Sequence, residues 1–342
     1  MVKSIKMTQV TSRALSCEPL IERTENGELL CLCQCGGTHE PAPENRVYVF
    51  HSKDEGKTWS SPKSIYPEDG QAVYCTELSV IGNELTAYLT VHNGTFLDWK
   101  CFMMKSYDNG YTWKNCGTPP FFPEYTFMRA MLTLKNGNIL LPYQTYPVTH
   151  EEHERIRLEE TKKFIGTNTK TPYCESGVLI SSDGGKTYSK HSAAKIPHTN
   201  GWIWSEPTIA ELSDGTVVML MRNYNGYLFR CDSTDGGRTW GEYYPTDIPN
   251  PRNKPRLIMM DKGRIALLNT PNNTDISGEA NGNKRFPYEL WITDDDMRTW
   301  SKTQLTDFPG SYSYSDGFFE DGHLRFVVEH NRHTVIYFDV EI

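Results

Sequence analysis

Apolar and polar positions alternate along much of the chain in short runs that break at Asn, Asp and Gly. A period of two is the signature of a strand with one buried face. Six such runs come in pairs around a tight polar turn. They read EPLIERTENGELLCL from Glu18, ELSVIGNELTAYL from Glu77 and RAMLTLKNGNILLPY from Arg129. They continue as EPTIAELSDGTVVMLMR from Glu206, RLIMMDKGRIALLN from Arg256 and SDGFFEDGHLRFVVE from Ser315. N-G and D-G between apolar runs are strong hairpin signals, because the turn needs positive φ. Each hairpin leaves room for two more strands. The pattern therefore predicts an all-β chain of six four-stranded sheets, arranged as the blades of a six-bladed β-propeller. Residues 1–342 then form one domain, and the stretch from Lys3 to Val10 is expected to pair with the last blade and close the ring.

A second repeat interleaves with the first. It reads SKDEGKTW from Ser52, SYDNGYTW from Ser106, SSDGGKTY from Ser181 and STDGGRTW from Ser233, with a degenerate TDDDMRTW from Thr293. In each copy a strand ends, Asp accepts from turn amides, Gly supplies a positive φ, and Thr plus an aromatic start the next strand. The second and third copies start 75 residues apart, against 52 to 60 for the other pairs. HEEHERIRLEETKKFIG, from His150 to Gly166, fills that gap. It lacks alternation and carries Glu and Lys at helical spacing, so a short helical insertion is expected in blade three.

Composition narrows the function classes. The net charge of −8 argues against nucleic acid or an anionic membrane as partner. Aromatics reach 12%, which suits strands and also suits stacking on sugar faces. The N-terminal MVKSIKMTQV has no apolar signal core, and no run of 18 apolar residues occurs. Nine cysteines are present; Cys31, Cys33 and Cys35 alternate, so all three face one side of a strand. Buried, reduced thiols and a cytoplasmic location are expected, with a secreted mature form as the alternative. Neither cysteines nor histidines show metal-ligand spacing, so no metal and no cofactor are expected. A monomer or a homodimer fits equally.

In a propeller the innermost strand of each blade starts near the central channel. Those starts bring Glu18, Glu77, Arg129, Glu206, Arg256, Tyr314 and Asp316 towards one axis. Burying them unpaired would cost several kcal/mol each, roughly, so an inert scaffold has no reason to keep them. The fold alone leaves a carboxylate-driven glycosidase and a non-catalytic carbohydrate-binding propeller both open.

The five Asp-containing turns resemble the Asp-boxes of the sialidase superfamily, and the resemblance covers nearly the whole chain. It implies an exo-acting, retaining glycoside hydrolase on terminal sialic acid or a related acidic sugar. It further implies that the Asp-boxes lie on the face away from the active site. In that family blade four begins with a Glu and returns to an Arg. WSEPTIAELSDGTVVMLMRN matches, which implies a base at Glu206 and a substrate-binding Arg222. SYSYSDGFFEDGHLRFVVE implies a nucleophile at Tyr314, with Tyr312 as the other register, and KRFPYELWITDDD implies Arg285. A phenol needs a base beside it, and a neutral phenol avoids repulsion by a substrate carboxylate. Arginines would hold that carboxylate bidentately. Glu18, Asp316 and Arg129 are expected as further substrate-binding residues, and Trp202 and Trp204 as a sugar platform.

Two positions depart from the family pattern. The arginine expected at the start of blade one is replaced by Cys17, ahead of Glu18 and Pro19. The acid/base Asp of the following loop has no match in GGTHEPAPENR. Glu40, Glu44 or His39 is left for that role, with Glu40 preferred. Arg129, Arg256 or Arg46 is left to replace the missing arginine, or the sugar differs.

Overall fold

In a computed structural model the chain is a ring of six antiparallel sheets. The structure describes residues 2–342 apart from 93, 95, 97–98, 123, 150, 153, 156–172, 199–203, 224 and 273–284. The innermost strands are Cys17–Arg23, Ala72–Ile81, Thr126–Met128 with Leu132–Thr133, Thr208–Glu211, Arg256–Met259 and Tyr312–Glu320. The N-terminal strand Ser4–Thr11 pairs antiparallel with the C-terminal Thr334–Glu341, from Ser4 opposite Glu341 onwards. The two ends of the chain thus share blade six and close the ring, as expected. Most of the insertion expected at His150 to Gly166 falls outside the described residues. Blade three does carry extra strand pieces, with Ala194–Pro197 added beyond Ser189–Lys190 on the same neighbour.

The core lies in the six seams between adjacent blades. Along Leu29–Cys35 every residue is buried, yet the alternation still sorts them. Leu30 and Leu32 pack into the seam with blade two. Leu29, Cys31, Cys33 and Cys35 pack into the seam with blade six, against Val327, Val335 and Tyr337. A blade is covered on both faces, so its middle strand reads as a continuous apolar run. The thiols of Cys33 and Cys35 touch at 3.4 Å, and all nine cysteines are unpaired.

Five turns share one hydrogen-bond plan. In the first, Gly56 N–H donates to Ser52 Oγ at 2.8 Å, and Thr58 gives its N–H and hydroxyl to Asp54 at 2.9 and 2.7 Å. The degenerate copy keeps the plan around Thr293, Asp295 and Thr299, with Met297 at φ 66° where the others have Gly. The glycines also allow close approach to the preceding blade. A Cβ on Gly56 would lie 2.1 Å from Tyr337, and one on Gly110 would lie 2.1 Å from Leu30. Gly56→Ala should therefore cost about 2–4 kcal/mol, combining overpacking with left-handed strain. Gly27→Ala, at φ 85° with nothing within 4 Å, should cost about 1 kcal/mol. Urea denaturation of the two variants measures the difference.

These turns follow the third strand of blades one to five. Because strands alternate in direction, they lie on the opposite end of the ring from the starts of the innermost strands. That end of the inner strands is irregular. Pairing slips between Cys17 and Leu20, between Cys75 and Glu77, and between Ser313 and Asp316. Bulges there re-aim side chains from the sheet towards the channel.

Candidate active site

Ten of the described residues line a cavity of about 250 Å³ at that end. Seven of them are sequence candidates: Glu18, Glu40, Arg129, Trp204, Glu206, Arg222 and Tyr314. Three sit on strained backbone, with φ of 49° at Glu18, 40° at Glu206 and 53° at Tyr314. Glu18 and Glu206 each precede a proline, where an extended conformation is the ordinary one. Strain of this kind persists only where surrounding structure enforces it, and it concentrates at sites of function.

Glu206 is the centre of the charge network and is 3% exposed. Tyr314 donates its hydroxyl to Glu206 Oε1 at 3.2 Å. Arg222 Nε lies 2.6 Å from Oε2, and Arg129 Nη2 lies 3.5 Å from Oε1. The Glu206 N–H is held by Gln144 Oε1 at 3.0 Å, which fixes the left-handed turn. Burial works against the charged carboxylate, but Arg222, Arg129, Lys254 and Arg285 outweigh it and hold the carboxyl below its usual range. For Tyr314, burial raises the phenol and Glu206 adds to it, against the pull of Arg222. The resting pair is thus a neutral phenol donating to a carboxylate.

The register question at blade six is resolved in space. Tyr314 lines the cavity, whereas Tyr312 stacks on Tyr288 at 5.0 Å inside the blade and donates to Phe308 O. Arg285 is behind the cavity wall, donating to Ser313 Oγ and to the Arg252 carbonyl, which also accepts from Arg222. The structure does not bring Asp316 to the cavity lining. Its oxygens take the Ile21 N–H at 3.0 Å and Arg256 Nε at 3.0 Å, tying blades one, five and six together. Glu77 plays a similar part, accepting the Met131 N–H at 2.8 Å. In the loop after the first hairpin, Glu40 reaches the cavity, while His39 and Glu44 are exposed and absent from its lining. Glu40 accepts from Cys17 Sγ and Gln34 Nε2 and pairs with Arg332. Trp204 lines the cavity with Tyr74, Phe96 and Phe127, and its ring lies 5.8 Å from Phe96. Trp202 lies outside the described residues.

Glu18 is enclosed among these groups. Burial, then the charges of Glu40 and Glu206, push its carboxyl up to about 7, against the pull of Arg129 and Lys254. The folded carboxyl binds a proton more readily than the unfolded one, so the favourable contribution is complete below about pH 4.5 and is lost as pH rises through about 7. Glu18→Gln should therefore be more stable than wild type at pH 8, by about 1–3 kcal/mol, and indistinguishable near pH 4. Paired melting curves at the two pH values check this.

Lys254 escaped the sequence reading. It is buried, its Nζ lies 5.8 Å from the Tyr314 ring centroid, and burial with Arg129 beside it lowers its pKa. A usable signal was present: Glu18-Pro19, Glu206-Pro207 and Lys254-Pro255 are the same device at three inner-strand starts. Gln144 and Phe127 carried no comparable mark, because their roles come from pairing across blade three. Among the described residues, no group of three or more His, Cys, Asp or Glu side chains is placed to hold a metal.

A family model described as a BNR repeat-like domain matches residues 27–325. A sialidase from Clostridium perfringens is 26% identical over 280 residues, covering 68% of this chain; the chain spans 65% of that protein's length, just under two thirds. Among solved structures, a protein of unknown function from Dyadobacter fermentans superposes with a TM-score of 0.73 at 16% identity, over the whole of both chains. Trypanosoma rangeli sialidase in complex with sialic acid superposes with a TM-score of 0.72 at 16% identity, over 99% of this chain and 59% of that one. At such identities the structural likeness carries the fold.

Proposed function

The chain belongs to the sialidase superfamily of BNR-repeat propellers, and from that premise we propose that it is a retaining exo-glycosidase acting on terminal sialic acid or a related acidic sugar. The observation that carries this reading is the buried Tyr314–Glu206–Arg222 constellation opening on the cavity. Tyr314 is the nucleophile and Glu206 its base. In the resting pocket the proton stays on the phenol, because four cations depress Glu206 and burial raises Tyr314. A substrate carboxylate bound by Arg222, with Arg285 adding its charge from behind the wall, draws positive charge away from Glu206, which makes it a better base as the sugar arrives. Glu40, after taking a proton from solvent on leaving Arg332, protonates the leaving oxygen, and Glu18 is the second candidate for that proton because it titrates near neutrality. The carbohydrate would lie against Trp204, Phe127 and Tyr74, whose rings suit the apolar face of a sugar. The unpaired thiols, all buried but that of the exposed Cys116, support a reducing, cytoplasmic setting.

The test is hydrolysis of a fluorogenic sialic acid glycoside beside neutral and uronic glycosides. Turnover confined to the sialoside supports the reading. Turnover of neutral glycosides alone would move the chemistry to Glu18 and Glu206, and glycan binding without turnover would make the protein a lectin.

A further inference from the structure

The blade-one place that holds an arginine in the family pattern is occupied here by Cys17, 0% exposed and without charge at neutral pH. Each arginine offered by the sequence as a replacement is engaged elsewhere. Arg256 is on Asp316, Arg46 is on the Gln71 carbonyl at 2.7 Å, and Arg129 is on Glu206 across the pocket. Arg332 is different. Its guanidinium pairs with one oxygen of Glu40, and Cys17 Sγ donates to the other oxygen at 3.1 Å. One carboxylate thus spans Cys17 and Arg332, which places the guanidinium within reach of the spot that an arginine at position 17 would fill.

The backbone is built to deliver it. Asn331 and Arg332 are consecutive left-handed residues, at φ 53° and 56°, in the turn between His323–His330 and Thr334–Glu341. Asn tolerates this region, so the cost of the turn falls on Arg332. It is pinned to the chain just before Tyr314: Asn331 N–H donates to Ser311 O and Ser311 N–H to Asn331 Oδ1, both at 2.8 Å. Glu40 lines the cavity and Arg332 lies behind it. Arg332 also feels Glu329 and Tyr314 and acts on Arg285, so its charge belongs to the pocket rather than to the rim.

We propose that Arg332, supplied by blade six, completes the carboxylate-binding side of the pocket, and that Glu40 occupies its guanidinium until the substrate's carboxylate displaces it. This rests on the reading of the substrate as an acidic sugar. Displacement exchanges one carboxylate for another on the same fork, so the guanidinium stays paired, and the displaced Glu40 keeps the neutral donors Cys17 Sγ and Gln34 Nε2. The released carboxylate takes up a proton from solvent before it can give one to the leaving oxygen, and a site held partly by its own Glu40 binds ligand more weakly in proportion.

Calorimetric titration with free sialic acid and with its methyl ester tests this on wild type, Arg222→Ala, Arg332→Ala and Glu40→Gln. Wild type should prefer the acid to the ester. Arg332→Ala should weaken acid binding by about 10- to 100-fold, the worth of a charge-assisted pair, and leave the ester unchanged. Glu40→Gln should tighten acid binding, which neither a purely structural residue nor a mere proton donor would do. Where Arg332→Ala does not fold, Glu40→Gln decides: unchanged or weaker acid binding overturns the proposal. Acid preference abolished by Arg222→Ala but untouched by Arg332→Ala and Glu40→Gln overturns it while leaving the acidic-sugar reading intact. No preference for acid over ester in wild type overturns both.

Discussion

Tyr314→Phe should abolish turnover of a sialoside, lowering kcat by about 10³-fold or more, while leaving the fold within about 1 kcal/mol of wild type. The substitution removes one oxygen. That oxygen's hydrogen bond to Glu206 is lost, but Glu206 keeps Arg222 at 2.6 Å and Arg129 at 3.5 Å, so no buried charge is stranded. The ring remains under Arg222 and Lys254, each 5.8 Å from its centroid. Activity and stability should therefore separate cleanly. A turnover number equal to wild type in this variant, with an unchanged urea midpoint, would sink the tyrosine nucleophile. Glu206→Gln should also lose turnover, since the phenol then has no base.

The second large effect is on stability. Arg222→Ala should destabilise the protein by about 3–5 kcal/mol, because it strips the nearest cation from a carboxylate that is 3% exposed. Arg129, at 3.5 Å and shared with Gln144, is a weaker partner. The Glu206 carboxyl should then rise, since burial already pushes it upward and Arg222 is its strongest counterweight. The diagnostic is the double variant. Arg222→Ala with Glu206→Gln should recover roughly 1–3 kcal/mol relative to the single change, because it removes the unpaired charge as well as its partner. A double variant no more stable than Arg222→Ala alone would mean that the guanidinium acts through packing.

The two substitutions bear on different things. Tyr314 is expected to matter for chemistry and little for folding, Arg222 for both. That division follows from which atoms are charged and buried, and a lectin on the same fold would show the second effect without the first.

How far the sequence reached can be judged residue by residue. Strand alternation and turn residues are local, so the six hairpins, five repeated turns and closing N-terminal strand were all legible along the chain. That Lys3 to Val10 pairs with the last blade needed only the count of strands; the register, Ser4 opposite Glu341, came from the structure. Glu206 and Tyr314 were legible because inner-strand starts converge on the channel and because the family pattern matched there; for Tyr314 a bulge between Ser313 and Asp316 turns the side chain inward. Asp316 begins from the same kind of position, yet its carboxylate ties blades one and five to blade six. Its neighbour by two residues faces the cavity, and only the bulge between Ser313 and Asp316 decides which does. Tyr312 against Tyr314 is the same question, settled by the stack on Tyr288.

What the sequence determined by itself was therefore the architecture, since hydrophobic period and turn chemistry depend on neighbours a few residues away. What only the tertiary structure decided was the partnership of charges. Arg332 and Glu40 are 292 residues apart and meet because the ring closes blade six against blade one. Tyr314 and Glu206 meet across the channel, 108 residues apart. Electrostatic pairing acts over a few ångströms of space and leaves no period along the chain.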